Sequence, residues 1–397
     1  MSPSRTRWGT LFLLILTGII GAFQVGKAAV AVPALMSDLG LSLVFASWIV
    51  GAYGALGTLV GLPAGLLMSL LPARRTLVAG LIGIGVGSIA GAFTESGALL
   101  IATRGLEGCG FLAVILSAPR LFRLITAEAD SQLAFAFWGT YMPAGSATMM
   151  LAGPFLIAAF GWQGLWVFNG LLPLAYAFVV ARLDIPGADD HQSSDQGLFA
   201  NVREGLRTPG PILVAVAFGT YTLQYFALSS LLPALLVDRL GLSIAAAGAI
   251  SAGAVLANAV GNLVAGVALR LGVPLWIVLA TGFVTSGMLA FGIFNDSMPV
   301  AAVAVLAAGI LAITGLIPAS LFAAMPVFAP TSAMLAIALG LLTQIGISGQ
   351  LLGPTVLASF VERFGWPRAP LFFVAVMFAG IAIALGLRAA MRRRISA

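Results

Sequence analysis

Lys27, Arg104 and Glu107 are charged residues set inside long apolar runs of the sequence. A charge at the centre of a membrane costs about 2.5 to 3.5 kcal/mol even on a lenient insertion scale, so each is a candidate for chemistry. Arg104 and Glu107 are three apart and share a helix face. Two cations against one anion leave net +1, which suits an anionic ligand group, with Glu107 holding one cation until the ligand arrives. Glu107 is the one carboxylate within an apolar run and therefore the candidate for carrying a proton. Structural roles compete for the same atoms. Lys27 could lay its stem along apolar surface with its ammonium at the headgroups, Arg104 could buttress the first helix, and Glu107 could simply neutralise a neighbour. Around these ions, Gln24, Gln224, Tyr221 and Tyr225 are candidates for contacting a small-molecule substrate. Asn258 with Asn262, and Gln344 with Ser348, are polar pairs at helical spacing that either line a cavity or bond neighbouring helices together.

The elements that position these residues follow from composition. The chain has 397 residues, 60% hydrophobic and 8% charged, with mean hydropathy +1.09, whereas soluble domains are about one quarter charged. An all-α polytopic membrane protein is expected, since each span needs roughly 20 mostly apolar residues. Twelve transmembrane helices are predicted, near 11–32, 46–70, 76–93, 98–120, 134–159 and 164–181, then 212–236, 245–269, 276–294, 300–322, 335–360 and 371–387. Lys27 and Arg104 lie roughly 7 Å from their helix midpoints toward the same face, with Glu107 about one turn deeper. The 19 basic residues are scattered among apolar stretches, so no basic face for nucleic acid is available. One cysteine and one histidine exclude a metal cage and no cofactor is expected. No span carries a histidine or paired carboxylates, so the chain is not read as an enzyme.

Of the 19 basic residues, 14 fall in the terminal and loop segments on one side of the predicted spans and three on the other. The positive-inside rule then puts both termini in the cytoplasm. Arg5 and Arg7 before the first apolar run, with Ala29-Val30-Ala31 after it, imitate a cleavable secretory signal, but the repeat described next needs this helix. Residues 183–210 are predicted to form a cytoplasmic linker in which Leu198, Phe199, Val202 and Leu206 mark an amphipathic surface helix. His191 in that loop is expected to be solvated.

Pro33-Ala34-Leu35, Asp38 and Leu39-Gly40-Leu41-Ser42 return about 200 residues later as Pro233-Ala234-Leu235, Asp238 and Leu240-Gly241-Leu242-Ser243. Gln24 precedes the first proline by nine residues, as Gln224 precedes the second. Leu121-Phe122 and Gly153-Pro154 recur as Leu321-Phe322 and Gly353-Pro354. Two pseudo-symmetric six-helix bundles, 1–182 and 211–397, are therefore expected. Parallel repeats of this kind are a known transporter plan with a midplane site, in which Gln24 and Gln224 would face each other.

The run Arg104-Gly105-Leu106-Glu107-Gly108-Cys109-Gly110 resembles the fourth-helix signature of the major facilitator superfamily (MFS). Gly145 with Gly153-Pro154 is similar to the glycine-proline motif frequent in its proton-coupled exporters, although Ile157 and Ala158 replace the paired glycines that usually follow. Gly161-Trp162 with Phe168 and Asn169, and Gly365-Trp366, also fit; Ser69 stands where the family usually has aspartate. The resemblance implies that helices 1, 4, 7 and 10 line a central cavity while 3, 6, 9 and 12 face lipid. It also implies a secondary transporter of a small organic solute by alternating access. An anionic solute, proton coupling and efflux from the bacterial inner membrane are favoured, with Gly153, Pro154, Gly353 and Pro354 at helix bends and the chain a monomer in the lipid bilayer. An organic-anion uptake carrier, a multidrug exporter, and a non-transporting sensor or scaffold are the alternatives.

Overall fold

The computed structural model describes residues 5–69, 71–189, 209–328 and 332–395. Their regular structure is helical: α1 (Trp8–Leu39), α2 (Leu43–Gly51), α3 (Ala55–Ser69), α4 (Ala73–Ala92), α5 (Gly97–Ile125), α6 (Ser131–Gly139), α7 (Tyr141–Ala181), α8 (Pro209–Leu240), α9 (Ile244–Arg270), α10 (Leu275–Ile293), α11 (Val300–Thr314), α12 (Leu316–Phe328), α13 (Ser332–Phe364) and α14 (Pro370–Ile395). The chain divides into two compact units, Met1–Ser194 and Asp195–Ala397. The amphipathic helix expected near 198–206 lies outside the described residues.

Eleven helical stretches among the described residues are long and apolar enough to cross a membrane. One of them, Leu133–Ala181, contains Gly161 at φ 69 and ψ 177, a conformation that only glycine adopts readily. The chain reverses there. Before it, Gly145 meets Ile19 and Ala22 of α1 while Gly153 meets Val30, so this arm runs parallel to α1. After it, Gln24 Nε2 donates to the Asn169 carbonyl at 3.2 Å and the Tyr176 hydroxyl donates to the Leu13 carbonyl at 2.8 Å, so the second arm runs antiparallel. Two passes lie within this one stretch, which reconciles the eleven stretches with the twelve predicted spans.

Local sequence explains the other boundaries. The repeated Leu-Gly-Leu-Ser makes the same turn twice, with Gly40 at φ 61 and Gly241 at φ 62. Ser42 and Ser243 then cap the next helix, each accepting at 3.2 Å from the backbone N–H three residues on. Spans two and ten break three residues before a proline. Val60 leaves helical geometry ahead of Pro63, and α11 ends at Thr314, so that Gly315 divides it from α12 ahead of Pro318. The proline ring crowds the carbonyl of the preceding turn and supplies no N–H to it. Pro154, Pro233 and Pro354, by contrast, lie inside continuous helices.

Beyond α7 the chain folds back onto the start of α4. The Arg74 backbone N–H donates to the Ala188 carbonyl at 3.2 Å, Arg74 Nη1 donates to Leu183 at 3.0 Å, and Nη2 pairs with Asp189. Arg7 Nη1 holds the Asp184 carbonyl at 2.7 Å.

Candidate functional site

Glycines on α4 let it lie against α5. A Cβ at Gly87 would stand 3.0 Å from Glu107 Cγ and N, and one at Gly83 would stand 3.4 Å from Gly110 Cα. This approach turns Ser88 toward α1 and delivers it to Lys27. Lys27 Nζ lies 2.6 Å from Ser88 Oγ and 3.1 Å from both carboxylate oxygens of Glu107. It also stands 4.6 Å from the Trp166 ring centroid, within cation–π range. Ser88 Oγ in turn donates to the Trp166 carbonyl at 2.7 Å.

Arg104 closes the other side of Glu107. Its Nη1 bonds Glu107 Oε2, its Nε donates to the Ile49 carbonyl at 3.0 Å, and its Nη2 donates to the Gln24 carbonyl at 3.0 Å. Its guanidinium lies 4.6 Å from the Tyr53 ring centroid, and the Tyr53 hydroxyl donates to the Gly21 carbonyl at 2.8 Å. Lys27, Arg104 and Glu107 are fully buried, and among the described residues they are the charged side chains classed as buried. The structure therefore gathers all three sequence candidates into one sealed cluster of net charge +1 in the first unit. Lys27 Nζ is directed into the bundle, toward Ser88 and Glu107.

Sequence reasoning missed Ser88, Trp166 and Tyr53. Spans 3 and 6, expected on the lipid side, supply Ser88 and Trp166 from their inner faces, while Val86 and Leu171 on their other faces are exposed. The glycine spacing of span 3 was the available signal, because a face of glycines admits a neighbour close enough for a serine beside it to reach across.

The remaining candidates sit as follows. Gln24 is buried, with Nε2 on the Asn169 and Ile20 carbonyls, and its Oε1 has no donor among the described residues. Gln224 is buried in the second unit, where its Oε1 accepts from Ser286 Oγ at 3.0 Å. Each glutamine thus hydrogen-bonds within its own unit. The Tyr221 hydroxyl lies 3.4 Å from Asn258 Oδ1, and the Tyr221 and Tyr225 rings are 5.6 Å apart. Asn258 Nδ2 donates to the Leu311 carbonyl at 2.8 Å, bonding α9 to α11, and Asn262 Nδ2 donates to the Asn258 carbonyl at 2.9 Å. Ser348 Oγ donates to the Gln344 carbonyl at 3.0 Å within α13. Gly153-Pro154 packs against Val30 of α1, and Gly353-Pro354 against Leu223 and Ala227 of α8.

The family model described as Major Facilitator Superfamily matches residues 14–348. The chain belongs to this superfamily. MFS proteins are transporters rather than enzymes, and relatives within the superfamily include a puromycin resistance protein of Streptomyces alboniger, 26% identical over 201 residues, 47% of this chain and 39% of that protein. The multidrug efflux pump LfrA of Mycolicibacterium smegmatis is 31% identical over 172 residues, 42% of this chain and 34% of the pump. The 4-hydroxybenzoate transporter PcaK of Pseudomonas aeruginosa is 29% identical over 224 residues, 54% and 48% of the respective chains. The chain spans about a third to a half of the length of these curated relatives. The MFS fold itself is also seen in a solved bacterial homolog of the human lysosomal transporter Spinster, in an inward-facing and occupied conformation. The two superpose with a TM-score of 0.74 over 98% of this chain and 96% of the other, at 14% identity.

Proposed function

We propose that this chain is a secondary transporter that exports small organic solutes in exchange for protons by alternating access, with the Lys27–Glu107–Arg104 cluster as its coupling element. The observation that carries the reading is the cluster, in which three sealed ions hold a net charge that changes by one when a single proton moves. Linkage sets the direction of transport. A solute that binds best when the cluster is neutral competes with the proton, and reciprocal competition amounts to exchange. An inward proton gradient then drives solute outward, in keeping with the resistance and efflux names of the relatives. The arginine distribution supports a bacterial inner-membrane orientation with both termini cytoplasmic.

The net charge of +1 and the likeness to a 4-hydroxybenzoate transporter favour a second reading, a carrier of an organic anion. Proton and anion then bind together and travel in the same direction, which favours uptake. Anion selectivity and export by proton exchange, both expected from sequence, therefore separate at this cluster. Purified protein in liposomes, with puromycin as the amine probe and 4-hydroxybenzoate as the anion probe, tests both. Exchange requires an opposing proton gradient to raise puromycin accumulation. Accumulation of 4-hydroxybenzoate along the proton gradient would replace it with the second reading, and no counterflow of either probe or of a broad solute panel would leave a sensor or scaffold.

A further inference from the structure

We infer that Lys27, rather than Glu107, takes up and gives up the exchanged proton, with Glu107 as its fixed counter-ion. This inference deepens the exchange reading above and rests on it.

Three observations lead there. First, Glu107 is held by two cations, and Arg104 is anchored on backbone carbonyls of α2 and α1 as well as on Glu107. Arginine keeps its proton in proteins. Adding a proton to Glu107 would raise the sealed cluster from +1 to +2, whereas removing one from Lys27 lowers it from +1 to zero. Burial penalises uncompensated charge, so the second change is the less costly. Second, the hydrogen-bond partners accommodate the amine in both forms, an ammonium on Ser88 and both oxygens of Glu107 and a neutral amine on Ser88 and one of them. Ser88 spends its hydrogen on the Trp166 carbonyl and so accepts from Lys27. A neutral amine keeps two N–H groups, one for Ser88 and one for Glu107, and its lone pair awaits the returning proton. Third, buried acceptors without donors among the described residues lie on the same helices as Lys27 and Trp166. They are Gln24 Oε1, three residues before Lys27, and Asn169 Oδ1, three beyond Trp166. Their amide orientations are assigned from hydrogen bonding, Gln24 Nε2 donating to the Asn169 backbone carbonyl and Asn169 Nδ2 to the Leu165 carbonyl. These oxygens suit a passing hydrated proton.

Of the elements packed on Lys27, α5 presents Arg104 and Glu107, while α4 and the second arm of α7 present the non-ionising Ser88 and Trp166. Tyr53 lies behind Arg104 with its hydroxyl on Gly21, and Tyr141 lies beyond it across Phe111. In the step itself the Nζ–H bond breaks, its electron pair stays on nitrogen, and the proton passes to water on whichever side the site opens.

The chain contains one lysine, so a ζ-15N-lysine label reports this amine alone. In the full chain in lipid nanodiscs, the signal is expected to pass between its charged and neutral positions as pH is varied over the folded range. Over the same range the Glu107 carboxylate, identified by infrared difference against Glu107→Gln, stays ionised. A lysine signal that stays charged throughout, or a carboxylate that protonates, overturns the inference. Lys27→Met, which fixes the cluster in its neutral, solute-binding state and has no exchangeable proton, is expected to lose proton-gradient-driven puromycin transport while retaining counterflow; retained gradient-driven transport would also overturn it. Absence of all wild-type transport would instead remove the exchange reading and leave the lysine titration to be judged separately.

Discussion

Lys27 Nζ stands 3.1 Å from each carboxylate oxygen of Glu107, although 80 residues of chain separate the two. The pair holds α1 to α5 and, through Ser88, to α4. Because Arg104 shares the same carboxylate, the three ions behave as one unit in which Glu107 is the only anion.

Removing that anion is expected to cost more than removing one cation. Glu107→Gln leaves two buried cations without a counter-ion, and breaking a buried pair in this way costs about 3 to 5 kcal/mol. Lys27→Met leaves the neutral Arg104–Glu107 pair, and its loss is expected to be about 1 to 3 kcal/mol, the scale of a lost charged hydrogen bond. Thermal unfolding of both variants in detergent checks the order; a Lys27→Met protein less stable than Glu107→Gln would contradict it.

Two glycines close to the cluster should respond unequally to a methyl group. At Gly87 the new Cβ would stand 3.0 Å from the Glu107 backbone nitrogen and the Thr103 carbonyl oxygen, whereas nothing lies within 4 Å at Gly105. Gly87→Ala is expected to destabilise by about 1 to 3 kcal/mol through overpacking. Gly105→Ala should stay within about 0.5 kcal/mol of the parent. The same melting experiment decides, and equal losses at both sites would show that α4 and α5 do not approach as described.

The turn at Gly161 has φ 69 and ψ 177, and its counterpart Gly365, also followed by tryptophan, has φ 77 and ψ 161. Alanine at either position meets a backbone conformation essentially reserved for glycine, at a cost of about 1 to 3 kcal/mol. Each single variant should lower the melting temperature. If Gly161→Ala left it unchanged, the reversal inside α7 would be in doubt.

At the start of α4, Arg74 and Asp189 form a partly exposed pair that ties down the segment following α7. Asp189→Asn is expected to cost less than about 1 kcal/mol globally, as exposed pairs do. Locally, hydrogen–deuterium exchange at 183–189 should rise, and high salt should reproduce part of that rise in the parent protein. Unaltered exchange would mean that the backbone bonds from Arg74 and Arg7 hold the segment without the ion pair.

Much of this architecture is legible along the chain because its causes are local. Leu-Gly-Leu-Ser specifies a positive-φ glycine followed by a capping serine wherever it occurs, and so it makes the same turn at Gly40 and Gly241. Hydropathy located the spans, and a fold of this class followed from their number and repetition. The break at Val60 was less legible: a proline within a span is a cause of bending, but the irregular residue lies three positions before Pro63, and only the backbone shows it. The exact sequence offset also concealed that Gln24 and Gln224 bond inside their own bundles, to Asn169 and Ser286 respectively.

By itself the sequence singled out Lys27, Arg104 and Glu107, because a charge within an apolar span is costly unless it finds a partner or reaches the headgroups. Tertiary structure alone decided which partners those are. Ser88 is 61 residues from Lys27, and its approach depends on glycine faces of α4 seating against α5 while the second arm of α7 returns Trp166 to the same point. Helical periodicity fixes which side chains share a face of one helix, but contact across three helices depends on their mutual packing.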